Sequence, residues 1–200
     1  MLKFLNFQHI EKIPLDEKKL LAIGKGPTSV NWDSKYLIDY NTIGINHVAA
    51  KFKTLMGHFT DYEMFQDQKE YSKFVICPAF MNYNFKTVKD LRTLVNEDIN
   101  MGMLYKEKRL FSYDIITPEG FSTNLFGNKH PPFIFKYASG VLMVQLAIFF
   151  KKRELFTLGI DGGYKYNSDF FSTKGNGKFL DEQIEMMNSL SKDKIEIIKL

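Results

Sequence analysis

Short apolar or β-branched runs punctuate the chain at Lys19 to Ile23, Thr42 to Asn46, Thr54 to His58, Lys73 to Cys77, Glu154 to Gly159 and Lys194 to Lys199. Each has the length and residue types of a strand. Between some of them lie segments with helical spacing, Ser139 to Lys152 and Lys178 to Leu190, the latter placing Phe179, Ile184, Met187 and Leu190 along one side. Alternation of strand and helix restricts the fold to α/β: a Rossmann-like, mostly parallel sheet flanked by helices, with ligand sites at the carboxyl ends of the strands. At 200 residues the chain suits one such domain, residues 1–200. Met81 to Pro132 stands apart. It is rich in Asn, Lys, Tyr and Phe and carries turn signals at Pro118-Glu119-Gly120 and Gly127-Asn128, so residues 81–132 read as an insertion or lid. Within it the pattern predicts a short helix around Thr87 to Asn96 and a strand near Leu110 to Ile115.

Composition narrows the function classes. Lys and Arg number 27 against 23 Asp and Glu, an excess that suits an anionic ligand but is too small for a nucleic-acid surface. Cys77 is the single cysteine, which excludes an intrachain disulfide and a Cys-based zinc site and suits a reducing compartment. Met1 to Lys18 lacks a signal-like apolar core, and no apolar run approaches the ~18 residues of a membrane span, so a cytoplasmic location is expected. The longest apolar stretch, Gly140 to Phe150, is interrupted by Gln145 and closed by Lys151-Lys152-Arg153, as in a buried helix with a basic end. Peripheral association with the inner face of the membrane stays open. No Asp-x-Asp or His-x-x-x-His pair occurs, so the expected chemistry uses no metal and no cofactor. Gly-x-Ser-x-Gly and Walker motifs are also absent, which removes the hydrolase and P-loop readings.

Parallel strands bring the residues that follow them to one edge of the sheet. After the first run comes Gly24-Lys25-Gly26-Pro27-Thr28-Ser29, where glycines would let backbone N–H groups approach a phosphate and two hydroxyls would add donors; a plain turn is the competing explanation. Later runs deliver Asn46, His58 with Asp61, and Gly159-Ile160-Asp161 followed by Gly162, Gly163, Tyr164 and Tyr166. A histidine ordinarily titrates near neutral pH, so His58 is a candidate base, or else a histidine capping a strand. His47 reads as structural and His130, before Pro131-Pro132, as a solvated loop residue. Ser139 and Gly140 open the long apolar helix, whose N-terminus favours phosphate or is simply capped, and Lys136 just before it supplies positive charge. Tyr164 and Tyr166 are phenolic donors to a leaving phosphate or a sugar, or loop packing. Phe170 to Gly177 resembles a flap over the site.

The order of Ala22-Ile23-Gly24-Lys25-Gly26-Pro27-Thr28-Ser29, Gly44-Ile45-Asn46, Ser139-Gly140 and Leu158-Gly159-Ile160-Asp161 resembles that of the bacterial sialyltransferases that build lipooligosaccharide. It is similar also to a wider clan with the same nucleotide-binding core, including DUF115-type proteins and flagellin-modifying glycosyltransferases. The resemblance runs from Leu20 to Tyr166 and leaves the middle segment unmatched. It implies that Gly24, Gly26, Pro27, Thr28, Asn46, Ser139 and Gly140 hold a nucleotide-sugar donor, CMP-linked by preference. It further implies that Tyr164 and Tyr166 steady the departing phosphate without a metal, with Lys136 where the family carries Arg. The acceptor would be a surface glycan or a lipid-linked sugar. That family's lid histidine, its general base, has no counterpart after His130, so His58 or Asp61 takes that role. Pyrophosphoryl transfer to a pterin, with Mg²⁺ on carboxylates near the glycine turn, and a noncatalytic ligand-binding or assembly protein are the alternatives.

Overall fold

The computed structural model describes residues 5–66, 70–83, 87–136, 139–163 and 177–200. In chain order the strands are β1 (Gln8–His9), β2 (Lys19–Ile23), β3 (Tyr40–Ile45), β4 (Met56–His58), β5 (Phe74–Pro78), β6 (Phe80–Tyr83), β7 (Thr87–Asp90), β8 (Leu110–Tyr113), β9 (Ile115–Ile116), β10 (Phe133–Ile134), β11 (Glu154–Leu158) and β12 (Glu196–Lys199). The helices are α1 (Tyr36–Asp39), α2 (His47–Lys51), α3 (Tyr62–Gln66), α4 (Leu91–Glu97), α5 (Ile99–Lys106), α6 (Ser139–Phe149) and α7 (Gly177–Ser191). Eight strands form one sheet in the order β1-β8-β5-β4-β3-β2-β11-β12, every neighbouring pair parallel. The expected α/β sheet flanked by helices is therefore present. From β2 the chain works outward through β3, β4 and β5 to β8, then crosses back to lay β11 and β12 on the other side of β2. The direction of winding reverses between β2 and β11, and loops that diverge from such a point leave a crevice.

Both faces of the central strands are buried, which is why they read as continuous apolar runs rather than alternating ones. Period-two geometry sends Leu20, Ala22, Ile43, Met56, Ile76 and Phe111 into the core beneath α6. Leu21, Ile23 and Leu158 go to the opposite face, with Val48 of α2. Farther along that face Val75, Cys77 and Leu110 meet α3, α4 and α5. Helix α6 is buried nearly all round, and the polar residue in its interior is satisfied: Gln145 accepts from the Ile134 N–H at 2.7 Å and donates to the Ile134 carbonyl at 2.9 Å. No helix among the described residues is long and apolar enough to cross a membrane.

Residues 81–132 are not a detachable insertion. They supply β8, which lies inside the sheet between β5 and β1, with Leu110, Phe111 and Tyr113 all buried. Thr87 and Val88, β-branched residues, belong to β7 rather than to the predicted helix, and Asp90 starts α4 by accepting from the Arg92 N–H at 2.6 Å. The edge strand β1, only two residues long, carried no sequence signal. Replacing Phe111 by Ala is expected to cost about 3–5 kcal/mol in urea unfolding; a cost below about 0.5 kcal/mol would mean that this segment is a surface lid.

Candidate functional site

Two strand exits meet at the winding reversal. The Gly24 N–H donates to the Leu158 carbonyl at 2.8 Å, and the Gly26 N–H to the Gly159 carbonyl at 2.7 Å. The approach is so close that a Cβ on Gly24 or on Gly159 would collide with the other's carbonyl oxygen, and Gly159 has φ +69° besides. A Cβ on Gly26 would run into the Asp161 carboxylate. That carboxylate accepts from the Thr28 N–H at 2.9 Å and from the Thr28 hydroxyl at 2.7 Å, while the same hydroxyl accepts from the Gly159 N–H at 2.7 Å. Chain-to-chain contact thus explains the glycines without a phosphate, and Asp161 already occupies the anion position at the start of the 3-10 turn Pro27–Asn31. Thr28, Ser29 and Pro27 do not face the crevice: Thr28 is spent on Asp161, Ser29 is fully buried and Pro27 points to solvent. Gly24, Lys25 and Gly26 do line it.

The crevice has a volume of about 330 Å³ and is walled by the β2 exit, by Asn46 after β3, by Thr60 and Asp61 after β4, by the start of α6, and by Gly159 to Gly162 after β11. Asn46 sits at φ 52° and ψ −124°, a backbone conformation that costs a non-glycine residue about 1–3 kcal/mol. Its side chain repays this by joining two strand exits, accepting from the Thr60 N–H at 3.2 Å and donating to Asp61 at 3.4 Å. Asp61 also accepts from Asn82 at 2.8 Å and from the Thr60 hydroxyl at 3.2 Å. The Thr60 hydroxyl lies 3.4 Å from that of Ser139, which opens α6, and the Gly140 N–H donates to Gln183 of α7 at 2.9 Å. Two cations, Lys25 and Lys136, line the same space. Burial lowers the Lys25 pKa and the nearby Asp61 carboxylate opposes that shift. The result is a polar, glycine-walled crevice with two lysines among its lining residues.

His58 is absent from this site, which corrects its assignment as base. Its ring lies under α6, fully buried, with Nε2 2.8 Å from the Tyr113 hydroxyl. Desolvation lowers its pKa to about 3, so the ring stays neutral and out of reach of substrate. The apolar run before it buried the histidine along with itself. Of the remaining expected residues, Gly24, Gly26, Asn46, Asp61, Lys136, Ser139, Gly140, Gly159 and Asp161 line the crevice; Tyr164 and Tyr166, and the flap up to Asn176, lie outside the described residues. Lys25, Thr60, Asn82 and Gln183 line it without having been singled out. Position after a strand could have flagged Thr60, whereas Asn82 arrives through the β6–β7 hairpin, invisible to local pattern.

A second cavity, about 560 Å³, is larger but opens at the amino ends of the strands, beside Lys18, Asn41, Leu55 and Lys73. Parallel sheets place ligands at the other edge, so size does not decide between them. Compared with protein-family models, curated proteins and solved structures, the chain has no match.

The Asp161–Thr28 clasp is expected to show in a double-mutant cycle: Asp161→Ala and Thr28→Val each destabilise by about 1–3 kcal/mol, and the pair by clearly less than the sum. For His58, whose folded pKa lies below the unfolded value near 6.5, the unfolded chain binds the extra proton, so stability is complete above about pH 6.5 and falls as pH drops toward 3. The slope should approach 1.4 kcal/mol per pH unit for this group, to be read from urea midpoints across that range. A flat profile in the wild type, or one unchanged in His58→Gln, would contradict the buried neutral ring.

Proposed function

We propose that the crevice binds a nucleotide-activated sugar, CMP-linked by preference, and transfers the glycosyl group to a surface glycan or lipid-linked acceptor. The observation that carries the reading is the coincidence of the winding reversal with a crevice lined by Lys25, Lys136, Ser139 and bare glycine backbone. An anionic donor gains from both ammonium groups and from the N-terminus of the 11-residue α6, while glycines leave room for a flat, bulky ligand against the main chain. The motif order that resembles the lipooligosaccharide sialyltransferases supports the choice of CMP over other nucleotides.

In this reading the acceptor hydroxyl attacks the anomeric carbon as the bond to the nucleotide phosphate breaks. Asp61 takes the acceptor's proton: of the carboxylates lining the crevice, Asp161 is the clasp that holds Thr28 against the β11 exit, each oxygen accepting from Thr28, whereas Asp61 is oriented by Asn46, Thr60 and Asn82 with a lone pair on Oδ1 left for the acceptor. Lys25, Lys136 and the Ser139 hydroxyl stabilise the charge that develops on the leaving phosphate. Among the described residues, no set of three metal-ligating side chains gathers in the crevice.

Calorimetric titration with CMP, UDP and ATP, each with and without Mg²⁺, tests the reading. CMP should bind without Mg²⁺, and Lys25→Ala and Lys136→Ala should each weaken it about tenfold, as the loss of a charge-assisted contact of about 1.4 kcal/mol would. Asp61→Asn should keep CMP affinity within about threefold while glycosyl transfer falls at least 10²-fold. ATP binding that requires Mg²⁺ would favour pyrophosphoryl transfer instead, and no nucleotide binding at all would leave a noncatalytic protein.

A further inference from the structure

Two segments far apart in sequence converge at the opposite end of α6 from the crevice. His9 ends β1, Glu11 lies in the 3-10 turn that follows, and His130 precedes Pro131-Pro132 on the way to β10. The Glu11 carboxylate stands 3.1 Å from Nε2 of His130 and 4.0 Å from Nδ1 of His9, and the three potential ligand atoms all fall within 4.8 Å of one another. The two imidazoles stack face to face, centroids 3.8 Å apart and planes 8° from parallel, with Phe149 set edge-on against both. Phe149 closes α6, so ten residues, about 15 Å of helix, separate this cluster from Ser139 in the crevice. His130 is thus not the solvated loop residue its sequence context suggested, and the absence of a His-x-x-x-His pair was no guide to ligands from distant segments.

We infer that His9, Glu11 and His130 form a binding site for one divalent transition-metal ion of zinc-like preference. Two imidazole nitrogens and one carboxylate suit Zn²⁺, Ni²⁺ or Co²⁺ and are too nitrogen-rich for Ca²⁺ or Mg²⁺. His9 is buried, and its Nδ1 is turned toward Glu11, whose N–H makes a long, 3.4 Å contact to it. Glu11 is half-exposed, which gives an ion a path in and leaves a fourth position for water. Tetrahedral ligands at about 2.0–2.1 Å from zinc lie about 3.3 Å from one another. Glu11 and His130 already meet that spacing. The remaining adjustment is a tilt of the His130 ring off the face of His9, since two parallel rings cannot both aim lone pairs at one ion. Bound there, the ion ties edge strand β1 to the loop before β10 and acts as a structural clasp independent of the crevice.

The test uses the full chain, stripped with chelator and titrated with Zn²⁺ at pH 7.5 by equilibrium dialysis and thermal melting. One equivalent should bind, and a hundredfold excess over Kd should raise Tm by roughly 5–10 °C. Glu11→Gln, which leaves the ring stack in place, and His130→Ala should each cut affinity at least tenfold with the metal-free Tm within about 3 °C of wild type. Co²⁺ should broaden the imidazole resonances of His9 and His130 and leave that of His58 sharp. No stoichiometric binding, or binding undiminished in Glu11→Gln, would overturn the site whether or not His130→Ala folds.

Discussion

The contact between the exits of β2 and β11 is the constraint on which the candidate site depends. Two backbones come within van der Waals distance because Gly24, Gly26 and Gly159 carry no Cβ, and Asp161 then locks them by holding the N–H and hydroxyl of Thr28. Everything downstream follows from that closure. The 3-10 turn begins on a filled anion position, Lys25 lines the crevice, and Gly159 to Gly162 form its second wall. The phosphate-cradle geometry that a Gly-x-Gly turn suggests is here occupied by the protein's own carboxylate. A ligand therefore meets the side of the turn, its glycine backbone and its lysine, rather than the helix start behind it.

The other half of the crevice is held by side chains bridging neighbouring strand ends. Asn46 accepts a strained backbone in order to reach Thr60 and Asp61, and Asp61 gathers three donors from three segments. A network so tied resists rearrangement when water leaves, the preorganisation that transition-state stabilisation needs. Ser139 and Gly140 join it to α6 and, through Gln183, to α7. The crevice thus touches every element around the winding reversal while resting on the same apolar core that buries α6.

Strands that are buried on both faces announce themselves as apolar runs, and β2, β3, β4, β5 and β11 were legible for that reason, while the partly exposed edge strand β12 was legible from its β-branched residues and α6 and α7 from their helical spacing. β8 was legible as a strand near Leu110 to Ile115, but its place inside the main sheet was not, because four residues flanked by polar turns carry too little pattern to outweigh their surroundings, although the sheet closes over them completely. At the site, local sequence placed the residues that follow strands, yet could not say which way each pointed. Asp61 and Asn46 face the crevice, whereas His58, a strand residue at the same edge, faces the core against Tyr113. Asn82 and the His9–Glu11–His130 group were beyond reach, since their partners lie 21 and more than 100 residues away. Only the topology brings them together.

Mapping of backbone amide resonances during a metal-free CMP titration tests the central claim most directly. The account predicts saturable shifts concentrated at Lys25, Gly26, Asn46, Asp61, Gly140 and Gly162, the two walls that converge where β2 and β11 part. Shifts confined to the lysine-lined cavity at the opposite edge, around Lys18, Lys51 and Lys73, or no shifts at millimolar CMP, would contradict it.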